Sequence, residues 1–255
     1  MLQKKLTHST KTKIMKKISK QFLGILFITA ICTSCSIDVF NSVHGNRNVI
    51  TKERKPQDNF TGIQVSTGIA LYIRQGNTNS ITVEADENLH DIIITEVQND
   101  ILKIYSDKNI WKAKSRKVFV TVANLTLLKA TSGSDVYSET IIKTNEISVT
   151  ATSGADIEIE ITAQNLETNA TSGADIIISG TAVNHASSAT SGSAIDAYNL
   201  KSENVTVKVT SGANIDIYAS KKIEAKATSG GAITVKGAPT KVDKKSTSGG
   251  RISVN

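Results

Sequence analysis

The sequence has few of the cysteine and histidine side chains that metal binding and catalysis commonly use. Its only two cysteines, Cys32 and Cys35, lie near the N-terminus, and the 255 residues include only four histidines. If the chain is exported and cleaved before Cys35, one cysteine remains and that one carries lipid. A disulfide, a catalytic thiol and a cysteine-ligated zinc site are then excluded, because their ligands are absent.

The sequence also lacks an excess of positive charge outside its N-terminus. The formal net charge is +7, but residues 1–34 contain seven lysines and no acidic residue. The remainder has 23 basic residues (30 − 7) and 23 acidic residues. This balance gives no electrostatic case for a nucleic-acid partner.

The N-terminus has the order of an export signal. Basic residues 16–20 precede the apolar run Phe22–Ile28, which is too short for a transmembrane helix. The run leads to Thr33-Ser34-Cys35, small residues before a cysteine, as in lipoprotein signals. We predict a lipoprotein signal peptide at residues 1–34, with Met15 as an alternative start and Cys35 as the lipidated residue. A soluble secreted protein with a simple cleavage site is the alternative.

Beyond the signal, the composition divides the chain into a linker and one domain. Residues 35–58 are polar and mixed in charge, which predicts a tether between the lipid and the domain. From Phe60 the pattern becomes β-like. We therefore predict that residues 59–255 form the domain, with residues before the first repeat forming a β-rich N-terminal cap.

The tripeptide Thr-Ser-Gly occurs seven times at intervals of 18 to 21 residues. A period near 20 indicates a solenoid in which each repeat is one turn. The glycines of the seven copies are Gly133, Gly154, Gly173, Gly192, Gly212, Gly230 and Gly249.

Alternating hydrophobicity around each glycine predicts strands. Counted from the glycine, positions +3 and +5 are apolar almost throughout, as are −3, −5 and −7 in most copies. By the same parity we expect the serine at −1 and the small residue at +1 to face inward, with the glycine bending the strand. Successive turns then stack as parallel strands. The predicted fold is all-β, a single-stranded parallel β-helix.

Several segments resemble one known family. They are Arg54, Phe60–Ile63, Ile81–Leu89, Thr95–Val97, Leu102–Ile104 and the Thr/Ser-Gly-Ser/Ala-Asp repeats. In this order they resemble the head GIN domain family (DUF2807, auto-transporter adhesins) over residues 50–255. The resemblance implies a right-handed β-helix on a cell-envelope lipoprotein of Gram-negative bacteria, and it implies no catalytic residues.

Two outward-facing clusters are candidate binding surfaces. Asp135, Asp156 and Asp175 occupy position +2 of successive repeats, so their carboxylates should form a column about 5 Å apart. This column is either a solvated acidic face or a cation site. The sequence has no calcium-binding motif at these positions, which favours the solvated face. Tyr198 and Tyr218 both occupy +6, and we expect them to stack as a platform for a glycan, unless they are ordinary strand residues.

The last repeat carries positive charge. Lys244 falls at an inward position, and Lys241, Lys245 and Arg251 surround it. Charge at the end of a solenoid blocks pairing with another chain, and a basic binding patch is the alternative interpretation.

β-Helices include polysaccharide-degrading enzymes, but these place acids with basic residues in grooves built by long loops. Here the loops are short, and the one histidine of the repeats, His185, falls at an inward position. We expect no enzyme, no cofactor and no bound metal. The expected protein is an outer-membrane lipoprotein, on the cell surface or the periplasmic face, that acts as an adhesin-like module for a glycan or protein surface ligand. A structural envelope component without a ligand is the alternative, and a polysaccharide-active enzyme is a minor one.

Overall fold

The computed structural model of the protein describes residues 42–255, so Cys35 and the predicted signal peptide lie outside the described residues. The described secondary structure is β-strand apart from one 3₁₀ turn at Glu87–Leu89. The strands are β1 (Val43–His44), β2 (Val49–Arg54), β3 (Gly62–Val65), β4 (Ala70–Gln75), β5 (Ser80–Asp86), β6 (Ile93–Gln98), β7 (Ile101–Ser106), β8 (Ile110–Lys112), β9 (Arg116–Val122), β10 (Leu127–Thr131), β11 (Asp135–Ser138), β12 (Ile142–Thr152), β13 (Asp156–Thr171), β14 (Asp175–Thr190), β15 (Ala194–Val209), β16 (Asn214–Tyr218), β17 (Lys222–Ala227), β18 (Ala232–Lys236), β19 (Lys241–Ser246) and β20 (Arg251–Val254).

Most of the strands stack in parallel as the rungs of a β-solenoid of about seven turns. A leading row of strands enters the corners in the spatial order β7, β3, β10, β12, then the ends of β13, β14 and β15, then β17 and β19. A following row leaves the corners in the order β9, β4, β11, then the starts of β13, β14 and β15, then β16, β18 and β20. The all-β solenoid prediction is confirmed; its right-handed winding stays a prediction.

Inward columns of aliphatic side chains form the core. Position +3 places Val136, Ile157, Ile176 and Ile195 in register on neighbouring strands, and all four are buried. Each buried aliphatic side chain stabilises the fold by about 1.5–3 kcal/mol. Because each rung covers the next, this burial depends on neighbouring rungs.

Each Thr-Ser-Gly forms a tight corner and not a bent strand. Ser132 and Gly133 have φ of 56° and 65°, and the other six copies repeat these left-handed values. Two successive left-handed residues are typical of a type I′ turn. The turn interrupts the in/out alternation, so the serines at −1 are exposed, and their predicted inward position was wrong. The residues at +1, such as Ser134 and Ala155, are buried as predicted.

An earlier corner precedes the seven copies. Thr67 and Gly68 have φ of 61° and 68°, and the Gly68 N–H donates to the carbonyl of Ser132 at 3.1 Å. In the same way the Gly133 N–H donates to the carbonyl of Ser153. Thr67-Gly68 is therefore a member of the series.

The residues before the first full copy contain the antiparallel pairing of the fold. β2 pairs with β5, β5 with β9, and β6 with β7. The half-buried Arg54 ties these strands together, since its guanidinium donates to the carbonyls of Ile93 (2.6 Å) and His90 (2.7 Å). Burial holds the pKa of Arg54 below its ordinary value, and Asp91 acts in the opposite direction. That this segment acts as a cap stays a prediction.

The predicted tether at residues 35–58 needs a correction at its C-terminal part. β1 and β2 lie within it, and β2 is in register with β5 from Val49 to Arg54. The sequence pattern did not indicate β2 because it is a polar edge strand, in which Thr51, Lys52 and Glu53 are exposed. No helix within residues 42–255 has the length and apolarity to span a bilayer.

At the other end, every residue of β19 is exposed. Lys244 lies in register with the inward-facing Ala225 of β17. Lys244 therefore occupies an inward position of the repeat, as predicted, but its side chain is exposed because no described strand covers this end of the solenoid.

Candidate functional site

The acidic column is present as predicted. Asp135, Asp156 and Asp175 lie in register on β11, β13 and β14. Burial raises the pKa of the central Asp156 carboxyl, and the charges of Asp175 and Asp135 raise it further. Within residues 42–255, no group of three His, Cys, Asp or Glu side chains is arranged to hold a metal ion.

Tyr198 and Tyr218 do not form the expected stack. Of the ring contacts among the described residues, none joins these two tyrosines. The Lys236 ammonium lies 3.7 Å from the Tyr198 ring centroid, and the Lys201 ammonium lies 4.0 Å from that of Tyr218. These cation–π contacts are worth about 0.5–1 kcal/mol each at exposed sites. They cover ring faces that a glycan would need.

An aromatic stack that the sequence analysis missed lies on the following row. Tyr72 of β4 lies between Phe119 of β9 and Tyr137 of β11, with ring centroids 5.0 Å and 5.3 Å apart. The order in space is 119, 72, 137, which differs from the order in sequence. One signal could have found it: Tyr72 and Tyr137 both occupy position +4 of a corner once Thr67-Gly68 is counted.

The same outward column continues past the stack to an exposed isoleucine. Tyr137 is in register with Glu158, and Glu158 is in register with Ile177. Tyr137 is 36% exposed and Ile177 is 51% exposed. Beside the stack, Arg74 and Glu139 form an ion pair at 3.1 Å. We call Phe119, Tyr72, Tyr137 and Ile177 the apolar strip.

A polar groove of about 570 Å³ follows a ladder of asparagines on the leading row. The Asn184 side-chain amide donates to the Asn165 carbonyl oxygen at 2.9 Å, and Asn204 donates likewise to Asn184 at 3.2 Å. The three asparagines share position −8, which is the signal that could have found them. Since the amides bond to one another, the ladder supports the stacking of the rungs.

His185 is a core residue, as predicted, and it lies behind this groove. It is 2% exposed, and its Nε2 is 2.9 Å from the Thr168 hydroxyl, which donates to Ser187. Its Nδ1 has no hydrogen-bond partner. Burial lowers the pKa of His185 to about 3. The imidazole is therefore neutral at physiological pH and is almost fully buried.

Two further aromatic side chains, Tyr105 and Trp111, lie in the N-terminal segment. The Tyr105 hydroxyl donates to Glu96 at 3.0 Å, and this hydrogen bond raises the pKa of the tyrosine. Trp111 is 51% exposed. Cys35, the predicted lipidation site, lies outside the described residues.

Comparison with known proteins identifies the family. The profile described as "Putative auto-transporter adhesin, head GIN domain" matches residues 59–239. A putative adhesin from Bacteroides fragilis is similar in structure, with a TM-score of 0.79 and 22% identity over 84% of this chain and 100% of its own. A putative lipid binding protein from Parabacteroides distasonis and a putative adhesin from Parabacteroides merdae each have a TM-score of 0.70 and 20% identity, over 84% of this chain and 99% of theirs.

No curated protein sequence matches the chain significantly. At identities near 20% the solved structures show a shared fold. The family profile covers well over half of the chain, in agreement with the resemblance of the repeats and of the segments before them. The protein belongs to the head GIN domain family.

Proposed function

We propose that this protein is an exported lipoprotein, anchored in the outer membrane through Cys35, that acts as a non-catalytic, adhesin-like module for a protein surface. The family description and the adhesin descriptions of similar structures support the adhesin-like part. The signal-like N-terminus supports export and lipidation. The apolar strip is the observation that carries the choice of ligand.

The strip has the composition of a protein-binding surface. Aromatic residues and arginine are enriched in protein interfaces, and here the Tyr72–Tyr137 ring pair of β4 and β11 lies next to the Arg74–Glu139 ion pair. Tyr137 and Ile177 lie in one outward column on either side of Glu158, and both are more exposed than a solvated strand face requires of large apolar side chains. The strip lies on strands in continuous register, so a partner meets a rigid surface.

A protein ligand fits this surface better than a glycan. Sugar rings bind to open aromatic faces, but Tyr72 has Phe119 on one side and Tyr137 on the other. The two tyrosines first considered for a glycan have lysines over their rings. The exposed part of the strip is the outer tyrosine, Tyr137, and the aliphatic side chain of Ile177, which can pack against protein side chains.

The absence of catalysis is part of the proposal. His185 is buried, and its pKa of about 3 makes it a weak base and leaves no protonated form to act as an acid at physiological pH. The aspartates at +2 lie side by side on an open strand face. A pair of acids in a water-excluding groove, as glycoside hydrolysis requires, is not formed by these groups.

The test uses the mature chain, residues 35–255 with Cys35→Ser, on arrays of host and bacterial surface proteins and of glycans. We expect protein ligands whose affinity falls at least tenfold in Tyr137→Ser/Ile177→Ser. The matched control is Tyr198→Ser/Tyr218→Ser, which removes similar surface from the repeats and should bind normally. Glycan ligands lost only in the control would contradict the proposed ligand, and a folded protein without any ligand would support a structural role.

A further inference from the structure

One corner of the solenoid differs from all the others in length. Between β3 and β4, four residues (66–69) join the leading row to the following row. Between Ile104 and Lys117, which lie in register with Val65 and Ala70, the connection has twelve residues (105–116). We call residues 105–116 the corner insertion. Insertions in solenoids often carry binding sites because the rungs on either side hold them in place.

The insertion is basic and contains the only tryptophan of the chain. Its charged residues are Asp107, Lys108, Lys112, Lys114 and Arg116. Trp111 lies in β8 at the surface. This clustering contrasts with the charge balance of the mature chain as a whole.

A pocket of about 640 Å³ opens at the insertion. It is lined by Trp111, Lys112 and Arg116 of the insertion, and by His44 and Arg47 from the first described strand and the turn after it. Among the described residues, no carboxylate lies within ion-pair distance of Arg47, Lys112 or Arg116. The pocket therefore presents three positive side chains without an ion-pair partner among the described residues, beside an exposed indole ring.

A buried carboxylate holds the two walls of the pocket together. Asp86 accepts hydrogen bonds from the backbone N–H groups of Arg47 (2.9 Å), Lys114 (3.0 Å) and Ser115 (3.0 Å). Burial acts to raise the pKa of Asp86, but these hydrogen bonds and the Lys114 charge bring it below the ordinary value. Because backbone groups satisfy this carboxylate, it fixes the walls without pairing with the side chains that line the pocket.

We propose that this pocket binds the phosphate of acidic phospholipid headgroups and docks the solenoid on the membrane that holds its anchor. Arginine binds phosphate through paired N–H groups, and lysine binds it as a point charge. Tryptophan favours the membrane–water interface, where its ring is partly buried and its N–H stays hydrated. The pocket thus combines the two kinds of side chain that lipid surfaces attract.

The position of the pocket favours a lipid surface over a soluble acidic glycan. β1 pairs directly with β8, with Val43 in register with Ile110 and His44 with Lys112. Seven residues (36–42) lie between Cys35 and Val43, and each of the eight steps of extended chain spans at most about 3.5 Å. A lipid on Cys35 therefore keeps β1, and the pocket beside it, within roughly 30 Å of the membrane surface. The inference rests on the proposed anchor for this proximity, whereas the chemistry of the pocket is independent of it.

The test measures binding of the mature Cys35→Ser chain, which carries no lipid, to vesicles of phosphatidylcholine with and without phosphatidylglycerol. Since Trp111 is the only tryptophan, its fluorescence reports the pocket directly. We expect a blue shift and co-sedimentation with the acidic vesicles only, both weakening as salt is added. No binding to acidic vesicles would overturn the proposal.

Matched variants separate the pocket from general charge. Each basic residue near an anionic surface contributes about fivefold in affinity, so Arg47→Gln/Lys112→Gln/Arg116→Gln should weaken binding about 100-fold. The control Lys208→Gln/Lys226→Gln/Lys245→Gln removes the same charge from three exposed lysines in register on β15, β17 and β19, and should bind within threefold of the unchanged chain. Equal losses in both would overturn the proposal. If the triple pocket variant does not fold, Arg47→Gln/Lys112→Gln should still lose about 25-fold.

Two further arms identify the source of the anion. Glycerol phosphate at the same phosphate concentration should neither shift the Trp111 emission nor displace the vesicles; if it does both, the site takes a soluble phosphate and the membrane proposal is wrong. An acidic oligosaccharide that shifts the emission when vesicles do not would also overturn it. Tyr137→Ser/Ile177→Ser should bind vesicles normally, so failure of the protein-ligand proposal is distinguishable. The mass of the full chain expressed with its signal tests the anchor separately.

Discussion

The corner insertion and the Thr-Ser-Gly corners connect the same two rows of strands with very different chemistry. Each Thr-Ser-Gly corner uses two left-handed residues and exposes only small polar side chains. The insertion uses twelve residues (105–116), adds a strand and surrounds a pocket with positive charge. Regular corners therefore keep the rungs in register, whereas the departure from the repeat provides space for a ligand.

The surroundings of the aromatic residues differ between the first rungs and the later rungs of the solenoid. In the N-terminal rungs, Phe119, Tyr72 and Tyr137 stack on one another. In the later rungs, Tyr198 and Tyr218 are each paired with a lysine. The stack contributes to packing between rungs, since aromatic pairs add about 0.5–1.5 kcal/mol beyond burial. Each lysine pair is a single cation–π contact, worth about 0.5–1 kcal/mol.

The largest expected effect contrasts two glycines. A Cβ on Gly180 of β14, which has a φ of +110°, would lie 2.0 Å from the Ile161 carbonyl oxygen of the next rung. Gly180→Ala should lower the free energy of unfolding by about 3 kcal/mol, since backbone must move. A Cβ on Gly76 in the N-terminal region would meet only the Thr121 methyl, so Gly76→Ala should cost about 1 kcal/mol or less. Urea unfolding measures both, and equal costs would contradict the rigid register of the repeats.

The same substitution, aspartate to asparagine, should change the free energy of unfolding in opposite directions in the N-terminal region and in the repeats. Asp86→Asn removes the charge that three backbone N–H groups share, and should destabilise the protein by about 2–3 kcal/mol at pH 7. Asp156→Asn relieves repulsion from Asp135 and Asp175, and should stabilise it by up to about 0.5 kcal/mol, less at high salt. Thermal unfolding of both variants at low and high salt checks the signs. Destabilisation by Asp156→Asn would indicate that the column has a partner.

We expect the stability of the protein to depend on pH through His185, which lies in the repeats. His185 is neutral in the folded chain with a pKa of about 3, whereas the unfolded value is near 6.5. The unfolded state therefore binds the extra proton, so this contribution is complete above pH 6.5 and is lost as the pH falls toward 3. Between pH 7 and pH 5 it should amount to about 2 kcal/mol. Between pH 7 and pH 5, the free energy of unfolding of His185→Gln should fall by about 2 kcal/mol less than that of the unchanged chain. An equal fall in both proteins, measured by urea unfolding at each pH, would contradict the burial of the imidazole.

The smallest expected difference contrasts the aromatic residues. Tyr72→Ala removes the central ring of the stack and should cost about 1.5 kcal/mol. Tyr218→Ala removes one half-buried ring and its lysine contact, and should cost about 0.5–1 kcal/mol. Urea unfolding under one set of conditions compares them. An equal cost would show that the stack does not add to packing between rungs.

The regular rungs were predictable because each side-chain position recurs seven times in the sequence. The aliphatic columns, the buried residues at +1 and the aspartate column followed from position counts alone. The exposure of the serine at −1 could not be predicted in this way. Two left-handed residues interrupt the in/out alternation there, and the sequence indicates a left-handed conformation only for the glycine.

The N-terminal rungs were less predictable because their order in space differs from their order in sequence. β3 and β4 lie between β7–β9 and β10–β11, so the adjacency of Tyr72 and Phe119 depends on a pairing that no local pattern encodes. The pocket was missed for the same reason, since Arg47 and Arg116 come from distant parts of the chain. Nor could position counts show that lysines cover Tyr198 and Tyr218.

The most direct test of the contrast between the two kinds of corner is hydrogen–deuterium exchange of the mature Cys35→Ser chain, with and without phosphatidylglycerol vesicles. We predict that vesicles slow exchange in residues 43–47 and in the corner insertion, and leave the Thr-Ser-Gly corners unchanged. Protection confined to the lysine row of Lys208, Lys226 and Lys245, or spread evenly over the rungs, would contradict the account.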